Sequence, residues 1–144
     1  MGDALQAARE ALVAFNSHDA ARIRATYAED VMFEAPGDVR TEGADATTAY
    51  AMGWQNAFPD STTTVLNEFA SGDWVVQQIT FEGTHTETLS GPEGDIPATG
   101  KHLAGRGVQV IRIRDGKIAE EHLYYDQMQV LGQLGLIPEA AAIA

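Results

Sequence analysis

Cysteine is missing from the chain, which excludes disulfides, thiolate metal ligands and a thiol nucleophile together. Cations are scarce: 9 Lys and Arg stand against 21 Asp and Glu, a formal charge of −12. Most of such a surface repels a phosphate backbone or an anionic membrane, so neither a nucleic-acid nor a membrane partner is expected. No apolar run approaches the ~18 residues of a membrane span. The start, Met1-Gly2-Asp3-Ala4, has neither the basic nor the apolar region of a secretory signal, and a cytoplasmic location is expected. The histidines His18, His85, His102 and His122 show no i, i+4 helical pair, so no metal is expected. A Gly-x-Ser-x-Gly segment is absent, and Gly105-Arg106-Gly107 falls in a strand-like stretch with no helix after it, so triad hydrolases and nucleotide cofactors drop out.

What is present is the composition of a globular domain. With 144 residues, 44% of them hydrophobic and 21% charged, one domain over residues 1–144 is expected. Leu5, Ala8, Leu12 and Phe15 recur at helical spacing, and Asn16-Ser17-His18-Asp19 supplies a turn and a cap. Ala20 to Tyr27 reads as a second short helix with Ile23 and Tyr27 on one face. Val31 to Ala35 alternates like a strand before Pro36-Gly37, and Ala46 to Ala57 reads as a third helix, stopped by Phe58-Pro59-Asp60.

From Thr62 the period changes. Thr62 to Phe69, Trp74 to Thr84, Thr99 to Arg114 and Lys117 to Tyr125 are rich in β-branched and aromatic residues, with Asp115-Gly116 as a tight hairpin signal. Leu89 to Gly100, holding Gly91-Pro92-Glu93-Gly94 and Pro97, reads as a mobile loop. Gln127 to Leu136 returns to helical spacing with Gly135 as its stop, and Ala140 to Ala142 reads as a frayed end. Helices set against a mostly antiparallel sheet make an α+β domain.

Asp126 ends the aromatic strand Leu123-Tyr124-Tyr125 where a helix begins. Held among rings, its carboxylate would be desolvated toward general-base work; otherwise it caps that helix. His85 shares strand parity with Ile79 and Phe81, as an electrophile facing the interior or as a polar strand end. Glu120, His122, Tyr124 and Asp126 form one polar line, either in a site or on a solvated or subunit-facing surface. Tyr50, Trp54 and Phe58 share a helical face, and with Phe15, Phe33 and Phe81 they make either a core stripe or the wall of a ligand pocket.

Several words in order carry a resemblance: Ala14-Phe15-Asn16, Gly53-Trp54 with Ala57-Phe58, Gly83-Thr84-His85, Pro97-Ala98-Thr99-Gly100-Lys101, Arg112 through Ile118, and Tyr125-Asp126 with Gln133-Leu134-Gly135-Leu136. The chain resembles the SnoaL-like polyketide cyclases of the NTF2-like superfamily. The resemblance implies a cone in which N-terminal helices pack on a curved, mainly antiparallel sheet around a pocket. It implies a cofactor-independent intramolecular aldol condensation with Asp126 as general acid/base. His85 falls with Trp54 in the family's pocket, and Gln109 stands where a second histidine is found. Gln109 donates a hydrogen bond but carries no proton. Phe15, Phe33, Tyr50, Trp54, Phe58, Phe81, His122 and Tyr124 are the expected substrate contacts for a hydrophobic polyketide-like ligand. A homodimer or homotetramer paired through the sheet's outer face is also implied.

Within the superfamily the alternatives are an isomerase, a dehydratase, an epoxide hydrolase or a non-catalytic ligand-binding protein. An epoxide hydrolase would want a further buried acid and an arginine, and Arg112 has the opposite parity to Gln109.

Overall fold

The computed structural model describes residues 2–91 and 94–137. Helix α1 (Gly2–Asn16) buries Ala4, Ala8 and Ala14, small side chains that let it lie close on the sheet. Its end is tied down at two points, because the Asn16 amide donates to the Thr63 carbonyl at 2.9 Å and accepts from the Thr63 N–H at 2.8 Å. Helix α2 (Ala20–Arg24) is capped by Asp19, whose carboxylate accepts from the Ala21 and Arg22 N–H groups. It ends three residues short of the expected Tyr27, since the Thr26 hydroxyl and N–H both donate to the Ile23 carbonyl and turn the chain out of the helix. Tyr27 instead opens strand β1 (Tyr27–Ala35).

Strand β2 (Val39–Glu42) forms a hairpin with β1 that was not expected from its short polar sequence. Helix α3 (Ala44–Ala57) starts two residues earlier than its pattern suggests and stops before Pro59. The long strands follow as β3 (Thr62–Ser71) and β4 (Trp74–Thr84). The segment expected to be a loop holds a small hairpin, β5 (Leu89–Gly91) and β6 (Gly94–Ile96), in which Leu89 and Ile96 pair and pack inward. Residues 92–93 of its turn lie outside the described residues. Strand β7 (His102–Arg114) and strand β8 (Lys117–Tyr125) complete the sheet, joined at Asp115-Gly116. Helix α4 (Gln127–Gln133) ends earlier than the expected Leu136, with Gly135 at φ 75°. The Ala140 to Ala142 tail lies outside the described residues.

The six strands run β2-β1-β8-β7-β4-β3. Only β1 and β8 pair in parallel; the other neighbours are antiparallel. Register slips in β1, β3 and β8 bend the strands, and the curved sheet folds around its helical side. Two apolar clusters fill the concave side. Ala8, Ile23, Tyr27, Val75, Ile111 and Ile118 belong to one, and Phe58, Leu89, Leu103, Val130 and Leu134 to the other. The convex side leaves Leu66, Phe69, Trp74 and Tyr124 exposed. Among the described residues no helix is long and apolar enough to cross a membrane.

Candidate active site

Between the two clusters runs a cavity of about 140 Å³, bounded by α1, α3 and the inner faces of β4, β7 and β8. Alternation along β8 decides what enters it. Past the register slip at Ala119, the side chains of Glu121, Leu123 and Tyr125 take the inner parity, while Glu120, His122 and Tyr124 take the outer one. Glu121 is therefore the one carboxylate on the cavity wall among the described residues. It lies in register between Phe33 of β1 and Ile111 of β7, and only 8% of it is exposed. Burial pushes its carboxyl up to about 7, against a smaller opposing pull from His122. A proton acceptor titrating near neutrality is what general acid/base work asks for.

Phenols share the cavity wall with this acid. Tyr27 is buried, and its hydroxyl is held well above the usual range by that burial and then by Glu121. Tyr50 is raised chiefly by burial, with Trp54 and Tyr125 as hydrogen-bonding neighbours that pull the other way and Glu121 adding to the rise. Tyr125 is raised by burial and then by the adjacent Tyr50. All three are thus neutral donors, suited to receiving negative charge on an oxygen. The rings form a connected wall: Phe33 and Tyr50 lie 5.1 Å apart, and Trp54 meets both Phe81 and Tyr125 edge-on at 5.8 Å.

Of the residues expected from the sequence, Phe15, Phe33, Tyr50, Trp54, Phe81 and Gln109 line the cavity. The Gln109 amide donates to Gln77 at 2.8 Å, so a ligand oxygen would compete for it. Phe58 and His85 sit behind the wall. Phe58 is fully buried and stacks on Trp54 at 6.0 Å and on His85 at 5.1 Å. His85 is fully buried too, and Nδ1 faces the Thr99 hydroxyl at 3.1 Å and accepts from the Thr99 N–H at 3.3 Å. That contact leaves the proton on Nε2 and, with burial lowering its pKa, makes the ring neutral. His85 holds the segment between the β5–β6 hairpin and β7 rather than facing the cavity: its N–H donates to Lys101 O and its carbonyl accepts from Gly100 N–H.

Three expectations are corrected by position. Asp126 is not desolvated among rings; it is exposed and caps α4, accepting from the Met128 and Gln129 N–H groups at 2.9 and 3.3 Å. His122 and Tyr124 are not cavity contacts, because their parity turns them to the convex face. There His122 bridges Glu34 at 2.9 Å and Glu120 at 2.7 Å, and Glu120 pairs with Arg112 at 3.3 Å. Arg112 is thereby occupied on the outside of the sheet. Glu121 was missed in the sequence, although its parity with Leu123 and Tyr125 was the available signal: a lone acid on an apolar stripe. Among the described residues no three His, Asp or Glu side chains gather closely enough to hold a metal.

Over residues 4–134 the chain matches the family model described as SnoaL-like polyketide cyclase. It belongs to this family. The aklanonic acid methyl ester cyclase DnrD of Streptomyces peucetius is 35% identical over 65 residues, covering 45% of this SnoaL-like chain and 42% of DnrD. The match therefore spans less than half the length of that curated relative. TsrD from Streptomyces laurentii has the same fold, with a TM-score of 0.80 at 22% identity over 95% of this chain and 98% of that one. So does an LEH-like epoxide hydrolase of M. tuberculosis, with a TM-score of 0.72 at 18% identity over 99% and 97%. The SnoaL-like fold is the cone expected from the sequence, with its sheet curved and not closed.

Proposed function

We propose that this SnoaL-like protein is a cyclase that closes a ring by intramolecular aldol condensation in a flat, largely apolar polycarbonyl compound. Glu121, and not Asp126, serves as the general acid/base. The observation that carries this is a single buried carboxylate, raised to about 7, on the wall of an aromatic cavity. Glu121 takes a proton from a carbon acidified by flanking carbonyls, and the electron pair moves into an enolate. The enolate carbon attacks a second carbonyl of the same molecule; a carbon–carbon bond forms and that C=O becomes an alkoxide. The protonated Glu121 then returns its proton to the alkoxide. These steps balance without a cofactor. Tyr27 and Tyr50, which both feel the Glu121 charge, and Tyr125, which adjoins Tyr50, are the cavity's donors for the negative oxygen, while Trp54 and Phe81 hold the rings in a folded, near-attack shape. The family membership and the partial likeness to DnrD support the reaction class.

The test is solvent-deuterium exchange at the activated carbon of a tricyclic β-keto ester, followed by NMR. Exchange is expected with the wild type, rising with pH through about 7 as Glu121 ionises. It is expected to persist in Asp126→Asn and to vanish in Glu121→Gln. Exchange that survives Glu121→Gln but is lost in Asp126→Asn would move the chemistry to the outer end of the strand and overturn this assignment.

A further inference from the structure

Two glycines on the inner face of β7, Gly105 and Gly107, border the cavity where it meets Trp54, Phe81 and Tyr125. Their partners in register are aromatic: Gly105 lies beside Phe81 of β4, and Gly107 beside Tyr125 of β8. They are bare for different reasons. A Cβ on Gly107 would come within 2.9 Å of the Tyr124 carbonyl oxygen, a backbone atom that cannot step aside, so packing requires glycine there. A Cβ on Gly105 would meet nothing nearer than Leu103 Cδ1 at 3.7 Å and Val130 Cγ2 at 4.0 Å, both ordinary contacts. Gly105 also has no positive φ, so its backbone suits any residue. A glycine inside a strand weakens it and leaves nothing to pack. Neither sterics nor backbone geometry accounts for Gly105.

The space it leaves open does. Gly105 is six residues along β7 from Ile111, the partner of Glu121, so it borders the end of the same cavity that lies away from the acid. We propose that Gly105 is a specificity-determining position, a bare stretch of backbone that receives the distal ring of a flat, uncharged polycyclic ligand whose reacting end is at Glu121. This rests on the cavity being the ligand site of the cyclase proposed above. The surroundings fit that class: Phe81, Trp54, Leu103 and Val130 offer apolar contact, and none brings a charge. A side chain at position 105 would shorten the cavity from the far end without touching the acid.

The experiment compares wild type with Gly105→Ala, Gly105→Val and Gly107→Ala. Binding of one-ring, two-ring and three-ring aryl ketones is titrated through Trp54 fluorescence, and thermal unfolding is followed in parallel. Gly105→Ala is expected to raise Tm by about 2 °C, since the new methyl fits and the unfolded chain loses freedom. Gly105→Ala and Gly105→Val are expected to weaken the three-ring ketone progressively, about tenfold or more for valine, and to leave the one-ring ketone unchanged. Gly107→Ala is expected to lower Tm. Equal loss for all three ketones, no loss for any, or a Tm that falls in Gly105→Ala would overturn the proposal while leaving the cavity as the ligand site. A wild type that binds none of the ketones would overturn both.

Discussion

Glu120 and Glu121 are chemically alike, adjacent in sequence and on one strand, yet they answer to opposite physics. Glu120 faces out, where the His122 imidazole and then the Arg112 guanidinium hold its carboxyl below the usual range against some desolvation. Glu121 faces in, where burial raises its carboxyl to about 7 against a smaller pull from His122. One is an ordinary surface pair and the other a stored proton site. A single step of strand parity separates a group whose ionisation stabilises the fold from one whose ionisation weakens it.

The largest expected break in that contrast is catalytic. Replacing the proposed general acid/base in Glu121→Gln should slow exchange by about 10²- to 10⁴-fold, whereas Glu120→Gln should leave it within about twofold of wild type. Steady exchange rates on the same β-keto ester check both.

The second effect is on stability and runs the other way. An acid whose folded pKa lies above its unfolded value destabilises the fold as it ionises. The penalty is absent below the ordinary value of 4.5, grows as pH rises, and is complete above about 7. Its size is about 3 kcal/mol at 1.36 kcal/mol per tenfold change in proton affinity. Glu121→Gln should therefore match the wild type near pH 4 and exceed it by that order at pH 8. Urea melts at the two pH values measure it, and a constant difference would show that Glu121 is not desolvated.

A smaller effect tests the end of the same strand. Asp126→Ala removes the α4 cap and should cost about 1 kcal/mol, with exchange otherwise preserved. Smallest of all is Glu120→Gln. Its depressed carboxyl contributes stability above the ordinary carboxylate range that is lost as pH falls, and a largely surface pair of this kind supplies less than about 1 kcal/mol, reduced further by salt.

Where the sequence could be read, it was because period and punctuation agreed: α1 through Leu5, Ala8, Leu12 and Phe15, the β7–β8 hairpin through Asp115-Gly116, and the aromatic wall through Tyr50 and Trp54. It misled at Ile23 and Tyr27, whose i, i+4 spacing imitates a helix face although the Thr26 hydroxyl ends the helix between them. It was ambiguous at Asp126, because a carboxylate that caps a helix and one that abstracts a proton occupy the same kind of strand end. The polar parity of Glu120, His122 and Tyr124 drew attention to a line that faces outward. Telling inside from outside required the β1–β8 pairing, a long-range contact that no local pattern contains.

That parallel pairing has a consequence for how the site comes into being. Phe33 belongs to the first strand and Glu121, its partner in register, to the last. On a ribosome the helices and β1 emerge early, but no wall exists opposite Phe33 until the final strand has been made. The acid is thus carried in on the closing piece, and it is desolvated only as β8 docks between β1 and β7. Closing the cavity and burying Glu121 are one event, because β8 lies between β1 and β7 and without it the sheet falls into two separate pieces.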